Sequence, residues 1–267
     1  DARNVFFSTL HGSANSQFVK QGNNTLTFNG THNDFLGELV VEGGTFQLLD
    51  SSIYGARMNN IKQATVKNGA TLSGYGSDSG NSGVVGKTVL EKGGILQVGN
   101  VLTNTTSKRH FTVDGNLSNA GTVKIHNDKG VVGNTLLVKG DYTGQAGSVL
   151  EMAFDLSKDA ADPYASYDLA TDKLIVNGNT SGTTKVRVKH LGNYGLDYKS
   201  KNSNGILLID VKGITSAAEF VQDGRIVAGA YDYYLSRGNS QLSGDYAAGT
   251  VKENDWYLNN IKPTAAP

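Results

Sequence analysis

Five short apolar runs recur at nearly constant spacing, each followed by a glycine-bearing break: VVEGGTFQL from Val40, ATVKNGATL from Ala64, TVLEKGGILQV from Thr88, FTVDGNL from Phe111 and LLVKGDY from Leu136. Their anchors, Val41, Val66, Leu90, Val113 and Val138, stand 25, 24, 23 and 25 residues apart. A period that regular is the mark of a solenoid, and with runs this short it suits one coil of a parallel β-helix. Alternate side chains of each run point inward, and no coil can bury its own apolar face. Neighbouring coils must therefore stack at about 4.8 Å.

Composition points the same way. The 267 residues include 34 glycines, which interrupt almost every apolar run, and prolines only at 163, 263 and 267. Helix-period stripes are hard to find, so the chain reads as all-β. Lysine plus arginine equals aspartate plus glutamate at 24 each. A chain with no net field is not expected to take nucleic acid as a partner. Cysteine is absent, which removes thiol catalysis, cysteine zinc sites and disulfides. No run approaches about 18 apolar residues and no charged, apolar leader opens the sequence, so these residues are expected to be soluble and to carry no membrane anchor.

The period places Val41, Phe46, Val66, Leu72, Leu90, Leu96, Val113 and Val138 in a central column, with Glu42, Lys67, Glu91 and Asp114 facing solvent. Asn68-Gly69, Asp114-Gly115 and Asn177-Gly178 are expected to supply positive φ at corners. The next anchor, Val176, comes 38 residues after Val138. An insertion is therefore expected, and residues 155–172, rich in aspartate, are its candidate. In the first 37 residues NTLTFNG from Asn24 matches the coil pattern best, so the sequence is expected to begin inside a longer helix.

Beyond Asp172 the chain reads DKLIVNGNTSGTTKVRV, GILLIDV, GRIVAGAYDYYLSRG and DWYLNN, ending in KPTAAP. A stack of parallel strands ends in an exposed edge that needs a cover. Tyr231, Tyr233, Tyr234, Tyr246, Trp256 and Tyr257 gather aromatic bulk where that cover should lie. This ordered series resembles the C-terminal part of an autotransporter (type V secretion) passenger domain with its pertactin-like autochaperone cap. The motifs fall on Asp172, Leu174, Val176 and Gly178, on Gly205 to Val211, on Gly224 to Gly229 with Tyr231, and on Asp255 to Leu258. Tyr233, Trp256 and Tyr257 join them as expected cap residues.

The resemblance implies a right-handed, single-stranded parallel β-helix with a C-terminal β cap that folds first outside the cell and templates the coils above it. It divides the chain into coils over 1–150, an acidic insertion over 151–171, last coils and cap over 172–262, and over 263–267 the start of a linker to an outer-membrane β-barrel. That barrel, a signal peptide and further passenger are expected outside these residues, and the chain's own barrel is an expected partner. The absence of cysteine suits a chain threaded unfolded through a pore. Location at the surface of a Gram-negative bacterium, or secretion from it, follows from the same resemblance. A long uniform helix with small insertions offers an extended side for contact, so the complete protein is expected to act in adhesion or self-association, with a ligand on a host cell or a bacterial surface. The rivals are a protease-type passenger whose catalytic domain lies upstream, and a polysaccharide-active β-helix.

No constellation in the sequence carries catalysis, a cofactor or a metal, so the segment is expected not to be an enzyme. Ser77-Asp78-Ser79-Gly80 approaches the surround of a trypsin-like nucleophile, but Ser77 stands where glycine is needed and neither His11 nor His32 is tied to Ser79 by spacing. A serine-rich turn explains it. Asp155, Asp159, Asp162, Asp168 and Asp172 match no calcium-loop spacing, and sit in one insertion rather than on successive coils as a glycosidase pair would. Lys185, Arg187 and Lys189 alternate with Val186 and Val188, a candidate contact for lipopolysaccharide or sulfated sugars, or a solvated outer face. Asn23, Asn29, Asn104, Asn116 and Asn179 open sequons, read here as accidents of composition.

Overall fold

A computed structural model describes residues 4–6, 8–49, 56–76, 83–99, 109–126, 131–156, 171–191, 205–215, 217–238, 253–260 and 262. The alternating runs become short strands that stack coil on coil in three ladders, a parallel β-helix. One ladder runs from Gln17–Lys20 through Glu38–Val41, Gln63–Val66, the end of Val84–Leu90, the end of His110–Asn119 and Tyr142–Gly144 to the start of Thr180–His190 and then Ala217–Gln222. A second runs from Asn4–Phe6 through Thr25–Asn29, Thr45–Leu49, Thr71–Tyr75, Ile95–Val98, Thr122–Lys124 and Val149–Phe154 to the second half of Thr180–His190. The third joins Arg57–Met58, the start of Val84–Leu90, the first half of His110–Asn119, Thr135–Val138, Lys173–Val176 and Ile206–Val211.

All eight residues expected in the column are fully buried. Glu42, Lys67 and Asp114 are half-buried on the outer face and Glu91 is exposed. The column is not a single file, however. Val41, Val66 and Leu90 stack in the first ladder, whose next member is Asn119. Val113 and Val138 belong to the third, in the file Val85, Val113, Val138, Val176, Val211. The even spacing from Leu90 to Val113 therefore joins two faces. Both faces follow apolar alternation with a glycine corner, so one-dimensional spacing cannot tell them apart.

Three successive coils of the third ladder end in one pattern, Val-x-Gly followed by Asn or Asp: Val113-Asp114-Gly115-Asn116, Val138-Lys139-Gly140-Asp141 and Val176-Asn177-Gly178-Asn179. The glycine amides chain coil to coil, Gly140 to the Gly115 carbonyl (2.9 Å), Gly178 to Gly140 (3.0 Å) and Gly213 to Gly178 (3.2 Å). Beside them runs a side-chain file. Asn116 Oδ1 accepts from the Asp141 amide (2.9 Å), Asp141 Oδ1 from the Asn179 amide (2.8 Å), and Asn179 Oδ1 from the Ile214 amide (2.8 Å). Each Asn or Asp side chain lies against the glycine of the next coil. At Gly178 an added Cβ would overlap Asp141 Oδ1 and reach 2.6 Å from the Gly140 carbonyl oxygen.

Gly69 and Gly115 have φ of 78° and 150°, as their corners require, but Gly178 is not among the positive-φ glycines. Glycine is needed there for close approach instead of handedness.

The chain leaves the second ladder after Phe154 and returns at Thr171, which bridges Phe154 antiparallel. Asp159, Asp162, Pro163 and Asp168 lie outside the described residues.

Candidate functional site

The surface with most construction in it is the lower end of the stack. Trp256–Asn259 lies antiparallel between Ile206–Val211, the last strand of the third ladder, and Tyr231–Arg237. Tyr231–Arg237 forms a hairpin with Ile226–Ala228, the pairing of Ala228 with Tyr231 leaving Gly229-Ala230 as a two-residue turn. Gly229 has φ of 60° and no non-glycine residue among those described is positive, the signature of a type II′ turn, whose twist matches that of the strands. Gly224, also left-handed at 97°, turns the chain into this hairpin.

Aromatic rings join this cover to the coils. Trp256, 3% exposed, meets Phe220 of the last coil edge-on at 4.7 Å, and Phe220 in turn stacks on Tyr142 at 5.7 Å. The Tyr142 hydroxyl lies 2.9 Å from Thr184 Oγ1 and accepts from Asn119 Nδ2 at 3.1 Å, so this buried ring end has its polar partners. Tyr233 packs on Phe154 at 5.5 Å. Polar joints complete the contact: the Val211 amide donates to Asp255 Oδ1 (2.8 Å), Asn254 Nδ2 to the Gly213 carbonyl (2.9 Å), and the Leu235 amide to Gln222 Oε1 (3.0 Å).

At the upper boundary of this region Asp172 is fully buried. Its Oδ1 accepts from the amides of Gly133 (3.1 Å) and Asn134 (2.9 Å) and from Asn134 Nδ2 (3.0 Å), and its Oδ2 from the Ala153 amide (2.9 Å). Burial pushes the carboxyl up to about 6, against the pull of these four donors toward the ionised form. One side chain thus ties the re-entry point to the coil above and to the strand the chain has just left.

Residues 112–235 match the family described as Autochaperone Domain Type 1. The chain carries an autotransporter autochaperone region. It is 32% identical over 203 residues to the uncharacterized protein YuaQ of Escherichia coli K12, covering 76% of this chain and 13% of that protein. It is 29% identical over 268 residues to the probable autotransporter YfaL of the same strain, covering 95% and 18%. The autotransporter adhesin AIDA-I of Escherichia coli is 40% identical over 134 residues, covering 50% and 9%. The chain thus spans less than a fifth of the length of these relatives. Proteins of this kind are exported to the cell surface of Gram-negative bacteria.

Within the autochaperone region Leu174 and Val176 fill the interior, and Gly178 takes the close approach described above. Tyr231 packs part-buried against the core and Tyr233 is buried, as is Tyr257 beyond the matched residues. Tyr246 lies outside the described residues. The structure adds Phe220, Tyr142, Asn254 and Gln222, none of which the motif reading marked. Phe220 was legible as the inward position of AAEFVQ, but Asn254 carries no local signal.

Lys185, Arg187 and Lys189 are exposed on one strand face. Arg187 is engaged by Asp223 at 2.7 Å and Glu151 at 3.6 Å, so a contact through this stripe rests on the two lysines. His32 is a core residue, its Nδ1 accepting from the Leu10 amide at 3.1 Å and its ring 4.9 Å from Phe28. Ser77 to Gly80 and Asn104 lie outside the described residues. Asn116 and Asn179, read as accidental sequons, are rungs of the corner file. Among the described residues no three His, Cys, Asp or Glu side chains are grouped to hold a metal.

Proposed function

We propose that this segment is the C-terminal stem and autochaperone of an autotransporter passenger, that it is not itself catalytic, and that it drives surface folding and export of an adhesin or self-association protein. The observation that carries the reading is the placement of Trp256–Asn259 against the open end of the third ladder. It runs antiparallel to its coil neighbour, and so finishes the stack instead of extending it. A template needs such a surface: once formed, it offers the next coil upward a fixed edge and a fixed aromatic floor. Adhesion or self-association is supported by the likeness to AIDA-I, which is named an adhesin. An extended, repetitive side also suits broad contact. The complete protein's ligand is a surface molecule of a host cell or of another bacterium, and its own barrel is the membrane partner.

The test is deletion of Gly224 to Leu258 in the full-length protein. Upstream coils should become protease-sensitive and surface display should fall. If the coils reach the surface folded and protease-resistant at an unchanged rate, the autochaperone reading is wrong.

A further inference from the structure

The corner file stops at one place. In three successive coils the residue after the Val-x-Gly corner is Asn116, Asp141 or Asn179, whose side chain accepts an amide of the coil below. In the last coil, Val211-Lys212-Gly213, that position is Ile214, 63% exposed. Ile214 has no side-chain acceptor to offer, and a further rung cannot be recruited there. The groups that a next coil would have met are met by two consecutive side chains of the cover. Asn254 Nδ2 donates to the Gly213 carbonyl, the group that in each coil above receives the next glycine amide. Asp255, 1% exposed, accepts the Val211 amide.

We infer that Asn254 and Asp255 are the positioning residues of the autochaperone, a side-chain rung that fixes the register of the last coil before the coils above it are in place. The inference rests on the templating role proposed above. The chemistry favours side chains for this task. The cover's strand pairs only with Ile206 to Ile209; a parallel strand continued over the corner would meet the same groups but expose a new row of amides and carbonyls below. Two side chains close it. Their order also encodes direction, since a donor faces the carbonyl and an acceptor faces the amide. A one-residue slip of a strand exchanges its inward and outward faces, and here it would set the Asp255 carboxylate against a carbonyl.

The backbone of the rung is itself held. The Asp255 carbonyl accepts the Gly238 amide at 2.9 Å, and its second carboxylate oxygen lies 3.4 Å from the Tyr257 hydroxyl. The cover therefore contributes to holding the carboxylate that meets the coil.

The experiment is refolding and unfolding of the 267-residue chain in guanidinium, followed by far-UV circular dichroism, a signal that all the variants keep. Variants are Asp255→Ala, Asp255→Asn, Asn254→Asp and Trp256→Phe. A rung formed before the coils predicts slower refolding, about tenfold for Asp255→Ala and Asn254→Asp, with unfolding rates nearly unchanged. Asp255→Asn keeps an acceptor and should recover most of the rate. Asn254 is only half-buried, so its variant folds even if Asp255→Ala does not. Faster unfolding with unchanged refolding would make the pair merely structural and overturn the inference. If Trp256→Phe slows refolding while the rung variants do not, the cover still templates but not through these residues. If none of the four alters the refolding rate, the templating role itself falls.

Discussion

The indole of Trp256 and the ring of Phe220 meet edge-to-face, 4.7 Å apart at 75°. Phe220 belongs to the last coil and Trp256 to the strand that closes it, so this contact is where the cover grips the stack. Truncation removes the largest buried ring at the joint and leaves a cavity that a β-sheet floor cannot collapse to fill. Trp256→Ala is expected to cost about 3 to 5 kcal/mol, measured by guanidinium denaturation with far-UV circular dichroism. Phe220→Leu, which keeps most of the volume, should cost about 1 to 1.5 kcal/mol. Equal losses for the two would mean that the rings do not form the joint.

Asp172 makes stability depend on pH in an unusual direction. Burial raises its folded pKa to about 6, above the unfolded value of about 4. Between these values the folded chain retains a proton that the unfolded chain has lost. The group's contribution is complete below about pH 4, declines as pH rises, and is spent above about pH 6; the full span is about 3 kcal/mol. Denaturation midpoints taken from pH 4 to 7 should show this decline in the parent chain beyond that of Asp172→Asn. The asparagine keeps one acceptor oxygen but turns an amide toward the Ala153 N–H, so it should also lose about 1 to 3 kcal/mol at pH 4. A pH profile unaltered by the substitution would show that the carboxyl titrates in the fold as it does in the unfolded chain.

The solenoid, its interior and its cap were legible because stacking repeats the same inward position every coil. Val41, Leu72 and Val138 announce themselves by alternation alone. What was hidden is how the coils connect. Leu90 and Val113 carry the same local pattern, yet one stacks on Asn119 and the other on Val85 and Val138. Ladder membership is decided by where the chain bends, as at the register shift between Asp114 and Leu117, and not by the apolar residues themselves. Asp172 could be placed in a motif, but its four donors come from residues 19 to 39 positions away, which no local pattern reports. Asn116 and Asn179 looked like surface composition for the same reason, their partners lying one coil further on.

Glycines in this chain should differ sharply in what replaces them. Gly69 has φ of 78° and nothing within 4 Å of an added Cβ, so Gly69→Ala carries only backbone strain, about 1 to 2 kcal/mol. Gly178 has ordinary φ, but its Cβ would press on the Gly140 carbonyl and Asp141 Oδ1, separating two coils at the corner file. Gly178→Ala should cost more than Gly69→Ala, about 3 kcal/mol or above. Gly69→Asn should be tolerated better than Gly69→Ala, since asparagine accepts the left-handed region, whereas Gly178→Asn should be worse than Gly178→Ala. Urea midpoints of the four variants check the order. A reversal at Gly178 would mean that the corner file yields to a methyl group.

The outer face of the second ladder carries a row of alternating charge. Lys124 reaches Glu151 at 3.8 Å, and Arg187 reaches Glu151 at 3.6 Å and Asp223 at 2.7 Å, joining successive coils from outside. More than half of the Arg187 side-chain surface remains exposed. Solvent screens such pairs, so Arg187→Ala should cost under about 1 kcal/mol at low salt, and less than half of that in about 1 M salt. The same variant separates the row from the neighbouring lysines. If Lys185 and Lys189 contact an anionic glycan, Arg187→Ala should leave heparin-column retention nearly intact while Lys185→Glu with Lys189→Glu abolishes it. Loss of retention on removing Arg187 alone would assign the contact to the paired arginine and not to the free lysine face.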